Sequence, residues 1–244
     1  MLFAEGMLIR RLERENNRIG VNVNILIEDV TKTYHRNSED FYAVDHIGLD
    51  IHDSEFAVIY GKSGSGKSTL INILAGVLSP TEGTVKYDDF RITGETDKKV
   101  SEFRNKRIGY IGQGYTLLPN LTVYENISLA SDLYGGDSEG INAILEKLGI
   151  QHLKDSYPKH LSGGEMRRAA VARALINNPD VVLADEPTGD LDNENTEIVL
   201  NIFKKISQDG KTVVMVTHDN EALKYADVIY EMKKGKLYLG GSKE

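Results

Sequence analysis

Phe56-Ala57-Val58-Ile59-Tyr60-Gly61-Lys62-Ser63-Gly64-Ser65-Gly66-Lys67-Ser68-Thr69 is the stretch on which the reading of this chain turns. From Gly61 to Ser68 it reads G-x-x-x-x-G-K-S, the spacing of a phosphate-binding loop. An apolar run of strand type stands directly before the loop. Directly after it, Leu70, Ile71, Ile73, Leu74, Val77 and Leu78 are spaced for the buried face of a helix. A plain glycine-rich turn would need neither flank, and both are present.

Glycines at 61, 64 and 66 admit dihedrals and close approaches that a Cβ forbids. Successive N–H groups of Lys62, Ser63, Ser65 and their neighbours can then turn inward as a nest for phosphate oxygens, at the positive end of the following helix. Lys67 is placed to reach the β- and γ-phosphates of a nucleotide, and the Ser68 hydroxyl to take one position on Mg²⁺.

Composition narrows the classes. The 244 residues suffice for one large domain with a sizeable core, or for two small ones. The formal net charge is -8 with acids and bases mixed along the chain, which argues against a protein that coats nucleic acid. Without cysteine there is neither a disulfide nor a thiolate metal site. No apolar run approaches the ~20 residues that cross a bilayer. A secretory leader is not expected either, because Met1-Leu2-Phe3-Ala4 is interrupted at Glu5 and Gly6.

Residues 1–22 read as an extension, a docking helix or a frayed leader. Leu8, Leu12 and Ile19 share one helical face there. Residues 23–244 read as one α/β domain. Strands are expected at Ile25 to Val30, Tyr42 to Ile51, Thr84 to Tyr87, Ile108 to Ile111, Val181 to Ala184 and Thr212 to Thr217, with short ones around Lys234-Gly235. Helical spacing marks Val123 to Leu133 and Ile141 to Leu148, so that about 114–165 reads as an inserted helical subdomain. Further helices are expected from Ser162 to Asn177, Asn193 to Ser207 and near Asn220 to Tyr225. Strands and helices alternating about a phosphate loop imply a mainly parallel sheet.

Asp185 and Glu186 end the apolar run at 181–184, at the strand end where open α/β sheets present ligands. The first is placed to hold Mg²⁺, the second to accept a proton from an attacking water. Ser162 and Glu165 form S-x-x-E, a helix-capping box. That reading leaves Gly163 and Gly164 unexplained unless the backbone there approaches something closely.

Taken with these residues, the chain resembles the ATP-binding subunit of an ABC transporter, over residues 23 to about 240. Leu161-Ser162-Gly163-Gly164-Glu165 matches that family's signature, Asp190-Leu191-Asp192 its D-loop, and His218 in Val216-Thr217-His218-Asp219 its switch histidine. Gln113 stands at its Q-loop and Tyr34 where an aromatic stacks on adenine. Glu165 departs from the more usual glutamine, and Lys62 from a frequent proline. The resemblance implies a P-loop ATPase fold with an N-terminal antiparallel β subdomain and an inserted helical one. It implies ATP contacts from Tyr34, Gly61, Lys62, Ser63, Gly64, Ser65, Gly66, Lys67, Ser68, Thr69 and Gln113. It further implies Mg²⁺ at Ser68, Gln113 and Asp185, and catalysis by Glu186, His218 and Lys67.

The family's partners are implied in the same way. A second copy would bring Ser162, Gly163, Gly164, Glu165 and the D-loop Asp192 to the first copy's nucleotide, in an ATP-dependent head-to-tail dimer. A separate transmembrane permease would dock at Thr116 to Asn126, holding the chain at the cytoplasmic face of a bacterial membrane. The run from Ala184 to Asp192 is most similar to the branch of lipoprotein-release, macrolide-efflux, antimicrobial-peptide-resistance and cell-division ATPases. Export or extraction is therefore expected. The alternative is the ATPase of a membrane signalling complex that transports nothing, such as the cell-division complex.

Overall fold

The computed structural model describes residues 23–36, 39–114, 117–133 and 140–240. The expected extension at 1–22 lies outside them. Two sheets carry the chain, and the larger has six strands in the order β10-β9-β3-β8-β7-β6. Its members are β3 (Phe56–Tyr60), β6 (Ile108–Ile111), β7 (Val181–Asp185), β8 (Thr212–Thr217), β9 (Val228–Lys233) and β10 (Lys236–Leu239). All neighbours in it are parallel except β9 and β10. The smaller sheet is antiparallel in the order β2-β1-β4-β5. It comprises β1 (Ile25–Arg36), β2 (Glu39–Ile51), β4 (Glu82–Tyr87) and β5 (Phe90–Arg91). The architecture is α/β, as expected.

The central parallel strands read as unbroken apolar runs because both of their faces are covered. Ala57, Ile59, Val181, Leu183, Val214 and Val216 face a core shared with α1 (Lys67–Leu74) and the antiparallel sheet, where Ile25, Ile27, Val85 and Tyr87 are buried. Phe56, Val58, Val182, Ala184, Val213 and Met215 face a second core. That core is closed by α3 (Val123–Asp132), α4 (Ile141–Lys147), α5 (Gly163–Leu175) and α6 (Asn193–Gln208).

Several boundaries differ from expectation. Val77 and Leu78 do not extend the helix after the phosphate loop. Gly76, at φ 63°, ends it: its N–H bonds Ile73 O while the Val77 N–H bonds Asn72 O, the double bond of a Schellman motif. Val77 is left 57% exposed. The expected strand at 25–30 runs on through Tyr34 to Arg36, because β2 pairs with it along its length. The helix from Ser162 stops at Leu175, where Asn178 at φ 49° turns the chain into Pro179. The element at 220–225 is a single 3-10 turn, Asn220–Lys224.

Helix α2 (Asp97–Arg107) was not expected. It buries only Val100, so its sequence carries almost no apolar period. Of the leucines proposed for docking, Leu117 is buried in the helical core while Leu118 is 44% exposed. Thr116 lies outside the described residues.

Candidate functional site

Register sets the site. Tyr60 of β3 pairs with Thr217 of β8, and Asp185 of β7 pairs with Val216 of β8. The carboxyl ends of three adjacent parallel strands therefore meet at one edge, at the kind of crevice where such sheets take ligands. The Gly61 N–H bonds Thr217 O at 3.2 Å and the Glu186 N–H bonds Val216 O at 2.9 Å, which ties the three turns together.

The loop between β3 and α1 is braced from behind. A Cβ at Gly61 would stand 2.4 Å from Met232 O, and one at Gly66 2.0 Å from Ala43 O. Gly66 also sits at φ 110°, closed to residues with a side chain. Gly235, in the turn between β9 and β10, donates from its N–H to Ser65 O at 2.9 Å and accepts at its carbonyl from the Asp45 N–H. Both sheets thus hold the loop in shape before anything binds it.

Its interior is polar and unspent. No side chain caps α1 at Gly66, so its first N–H groups have no partner within the helix. Ser65 Oγ is buried without a hydrogen-bond partner among the described residues. Lys67, buried, donates from Nζ to Gly61 O at 2.7 Å and to Lys62 O at 3.2 Å, and lies 3.5 Å from Glu186 Oε1. A ring of N–H donors, a buried ammonium and an unsatisfied hydroxyl suit a polyanion of phosphate type.

Glu186 is buried and adopts φ 48°, a left-handed backbone that non-glycine residues enter at a cost of about 1–3 kcal/mol. The turn places its Oε2 at the centre of three donors. These are Thr217 Oγ1 at 3.1 Å, the His218 N–H at 3.2 Å and His218 Nδ1 at 2.9 Å. A carboxylate accepts, so Nδ1 is the ring's donor to it. One oxygen of Glu186 thus takes three donors, and the other lies 3.5 Å from the Lys67 ammonium.

Asp185, also buried, accepts from Ser68 Oγ at 3.2 Å. Burial raises its carboxyl above the ordinary aspartate value. The Ser68 bond lowers it, the Glu186 charge raises it and Lys67 lowers it. Among the described residues no group of three or more histidines, cysteines or acids is arranged to hold a metal ion by itself. Two neighbouring oxygens with room for phosphates and water are what a Mg²⁺ site needs from a protein.

A cavity of about 1050 Å³ opens over these groups. Of the expected residues, Tyr34, Gly61 to Gly64, Gly66 to Thr69, Gln113, Glu186 and His218 line it. Ser65, Asp185, Asp192 and Ser162 to Glu165 do not, whereas Asp190 at the start of the D-loop does. The capping box forms as expected: Glu165 Oε2 accepts from Ser162 N at 2.8 Å, and Ser162 Oγ from Glu165 N at 3.4 Å. The close approach inferred for the glycine pair has an occupant in the same chain, since a Cβ at Gly164 would lie 2.0 Å from Asn195 Oδ1.

Two lining residues escape a reading of the sequence. Phe41 pairs with Tyr34 across β1 and β2, and the two residues, 55% and 42% exposed, both line the cavity. Only knowledge of the register could have found it. Arg167 of α5 is buried and donates from Nη1 to Gly114 O at 3.2 Å, tying α5 to the Gln113 turn.

Comparison with known proteins agrees with this geometry. The family described as ABC transporter matches residues 44–189. An uncharacterised ABC transporter ATP-binding protein of Methanocaldococcus jannaschii, MJ0796, is 40% identical over 87% of this chain and 94% of its own length. The macrolide export ATP-binding/permease protein MacB of Campylobacter jejuni is 36% identical over 90% of this chain, which spans about a third (34%) of that longer protein. A solved dimeric, post-hydrolysis structure of the MJ0796 cassette bound to ADP and Pi superposes with a TM-score of 0.82. It has 35% identity and covers 88% of this chain and 98% of that one.

Proposed function

The chain belongs to the ABC transporter family as an ATP-binding, ATP-hydrolysing subunit, and we propose that its work is done by Lys67, Asp185, Glu186 and His218 around the phosphate loop. The observation that carries this reading is the contact of Lys67 Nζ with Glu186 Oε1 at 3.5 Å. A triphosphate in the loop offers the ammonium better partners than two loop carbonyls and a carboxylate. As Lys67 turns to it, Oε1 of Glu186 is released while Oε2 stays fixed by Thr217 and His218. The freed oxygen then faces the cavity as the proton acceptor for an attacking water.

Backbone N–H groups from Gly61 to Thr69 and the Lys67 ammonium stabilise charge on the phosphates. Ser68, Asp185 and Gln113 would hold Mg²⁺, which would supply neutralisation of phosphate charge. Tyr34 supports the base. His218, hydrogen-bonded to Glu186, senses the terminal phosphate.

Ser162, exposed at the start of α5, and Gly163 to Glu165 beside it, none of which lines the chain's own cavity, serve the nucleotide of a second copy. The dimeric form of the MJ0796 cassette supports that arrangement. The helical block at about 114–165 acts as an inserted subdomain, residues 1–22 as an extension to the domain of 23–244, and exposed Leu118 as part of the docking face for a permease. Among the described residues no helix is long and apolar enough to cross a membrane. MacB is named as ATP-binding protein and permease together. That pairing supports work with a transmembrane permease, attachment at the cytoplasmic face, and export of a peptide, lipoprotein or drug-like substrate. The transporting role is favoured over a signalling one by that relative.

Glu186→Gln tests the assignment. Hydrolysis is expected to fall by about 10²–10⁴-fold, the usual worth of a general base, while Mg·ATP binding persists. Turnover like that of the unaltered protein would remove Glu186 from its role.

A further inference from the structure

The D-loop and the signature helix are clasped together within one chain by a side chain that neither motif contains. Asp192 caps α6 by accepting from the Asn195 N–H at 2.8 Å. The Asn195 amide then reaches back over the same carboxylate, donating from Nδ2 to Oδ1 and to Oδ2, each at 3.0 Å. Asp192 can only accept, so the NH₂ end must face it and the carbonyl end must face away. That carbonyl points at α5. It takes a long bond from Arg168 Nη1 at 3.4 Å and fills the place where a Cβ of residue 164 would be.

Both ends of one amide are therefore committed, one to the D-loop and one to the first turn of α5. Neither contact is needed for capping, since the Asn195 backbone N–H already serves α6. The bonds to Asp192 are of the charge-assisted kind, which lowers that carboxyl below its ordinary range, the backbone N–H of Asn195 contributing most. Gly164 is the residue that lets the amide sit so close. Of the two segments so joined, the D-loop starts at the rim of the cavity with Asp190, while Asp192 and 162–165 lie outside its lining.

We propose that Asn195 is a positioning residue that locks the D-loop to the tip of the signature helix, so that both present themselves to the partner copy as one rigid surface. The proposal rests on the two-copy reading above and deepens it. Asn195 touches no nucleotide. It fixes the distance between two loops that must be met together when a second copy closes, and so lowers the ordering cost of closure.

The test compares Asn195→Ala and Asn195→Asp in the Glu186→Gln background, by sedimentation with Mg·ATP and by nucleotide binding to the monomer. Alanine keeps the backbone cap but loses the clasp. Aspartate keeps the shape against Gly164 and Arg168 but sets a carboxylate against Asp192. Both are expected to weaken the ATP-dependent dimer about tenfold or more, the worth of one charge-assisted bond, and to leave monomer affinity for Mg·ATP unchanged. A dimer unaltered by Asn195→Asp would overturn the proposal, because packing alone would then suffice. Parallel loss of monomer nucleotide binding would also overturn it. If Glu186→Gln with Asn195 intact fails to dimerise, it is the two-copy reading that falls, not the clasp.

Discussion

At the scale of single residues, charge at the tip of α5 is the most informative detail. Glu165 completes its capping box through Ser162 N and Oγ, a task that glutamine performs equally well. The carboxylate thus brings a negative charge that the cap does not require, to a helix start proposed to meet a phosphate. Glu165→Gln should keep the box and tighten the ATP-dependent dimer of the Glu186→Gln protein by roughly two- to fivefold, the size of an exposed charge pair. Sedimentation with Mg·ATP reads this; a weaker dimer would mean that Glu165 makes a favourable contact of its own. The same scale marks what a sequence conceals. Lys67, Ser68, Asp185 and Glu186 were legible because a motif or a strand end announced each of them. Asn195, Arg167 and Phe41 were not, since each acquires its role from a partner brought up by folding: Gly164, Gly114 and Tyr34.

At the scale of elements, legibility followed burial. β7 and β8 have every residue buried and read as unbroken apolar runs, whereas α2 buries Val100 alone and is held by polar contacts such as that of Arg104 with Gly76 O. The caps make the helices carrying function sensitive to acid. Glu165 and Glu125 both lie below the ordinary value of 4.5, chiefly through the backbone N–H groups of Ser162 and Thr122. The unfolded chain therefore binds more protons than the folded one in the window below 4.5. The caps' stabilisation is fully present above it and is lost as pH falls through the lowered values. Amide exchange, corrected for its intrinsic pH dependence, should show the first turns of α3 and α5 fraying in that window. The start of α1, capped by Gly66 without a side chain, should not follow. Equal behaviour of all three would contradict a role for the glutamates.

At the scale of the molecule, the site is divided. The phosphate loop, Glu186 and His218 gather over one cavity, with Asp185 joined to them through Ser68, and Ser162 to Glu165 do not line it. On the proposed reading a single copy holds two half-sites, and a head-to-tail pair would complete both. Mixing two crippled chains tests this most directly. Lys67→Ala disables the loop and Ser162→Arg the tip, both placed in the Glu186→Gln background so that ATP, once enclosed, is retained. Neither variant alone should trap nucleotide. Mixed, they form pairs with one doubly damaged site and one intact site, and one trapped ATP per mixed dimer is the expected result. Should the mixture trap no more than either chain alone, loop and tip would not be serving the same triphosphate from opposite copies.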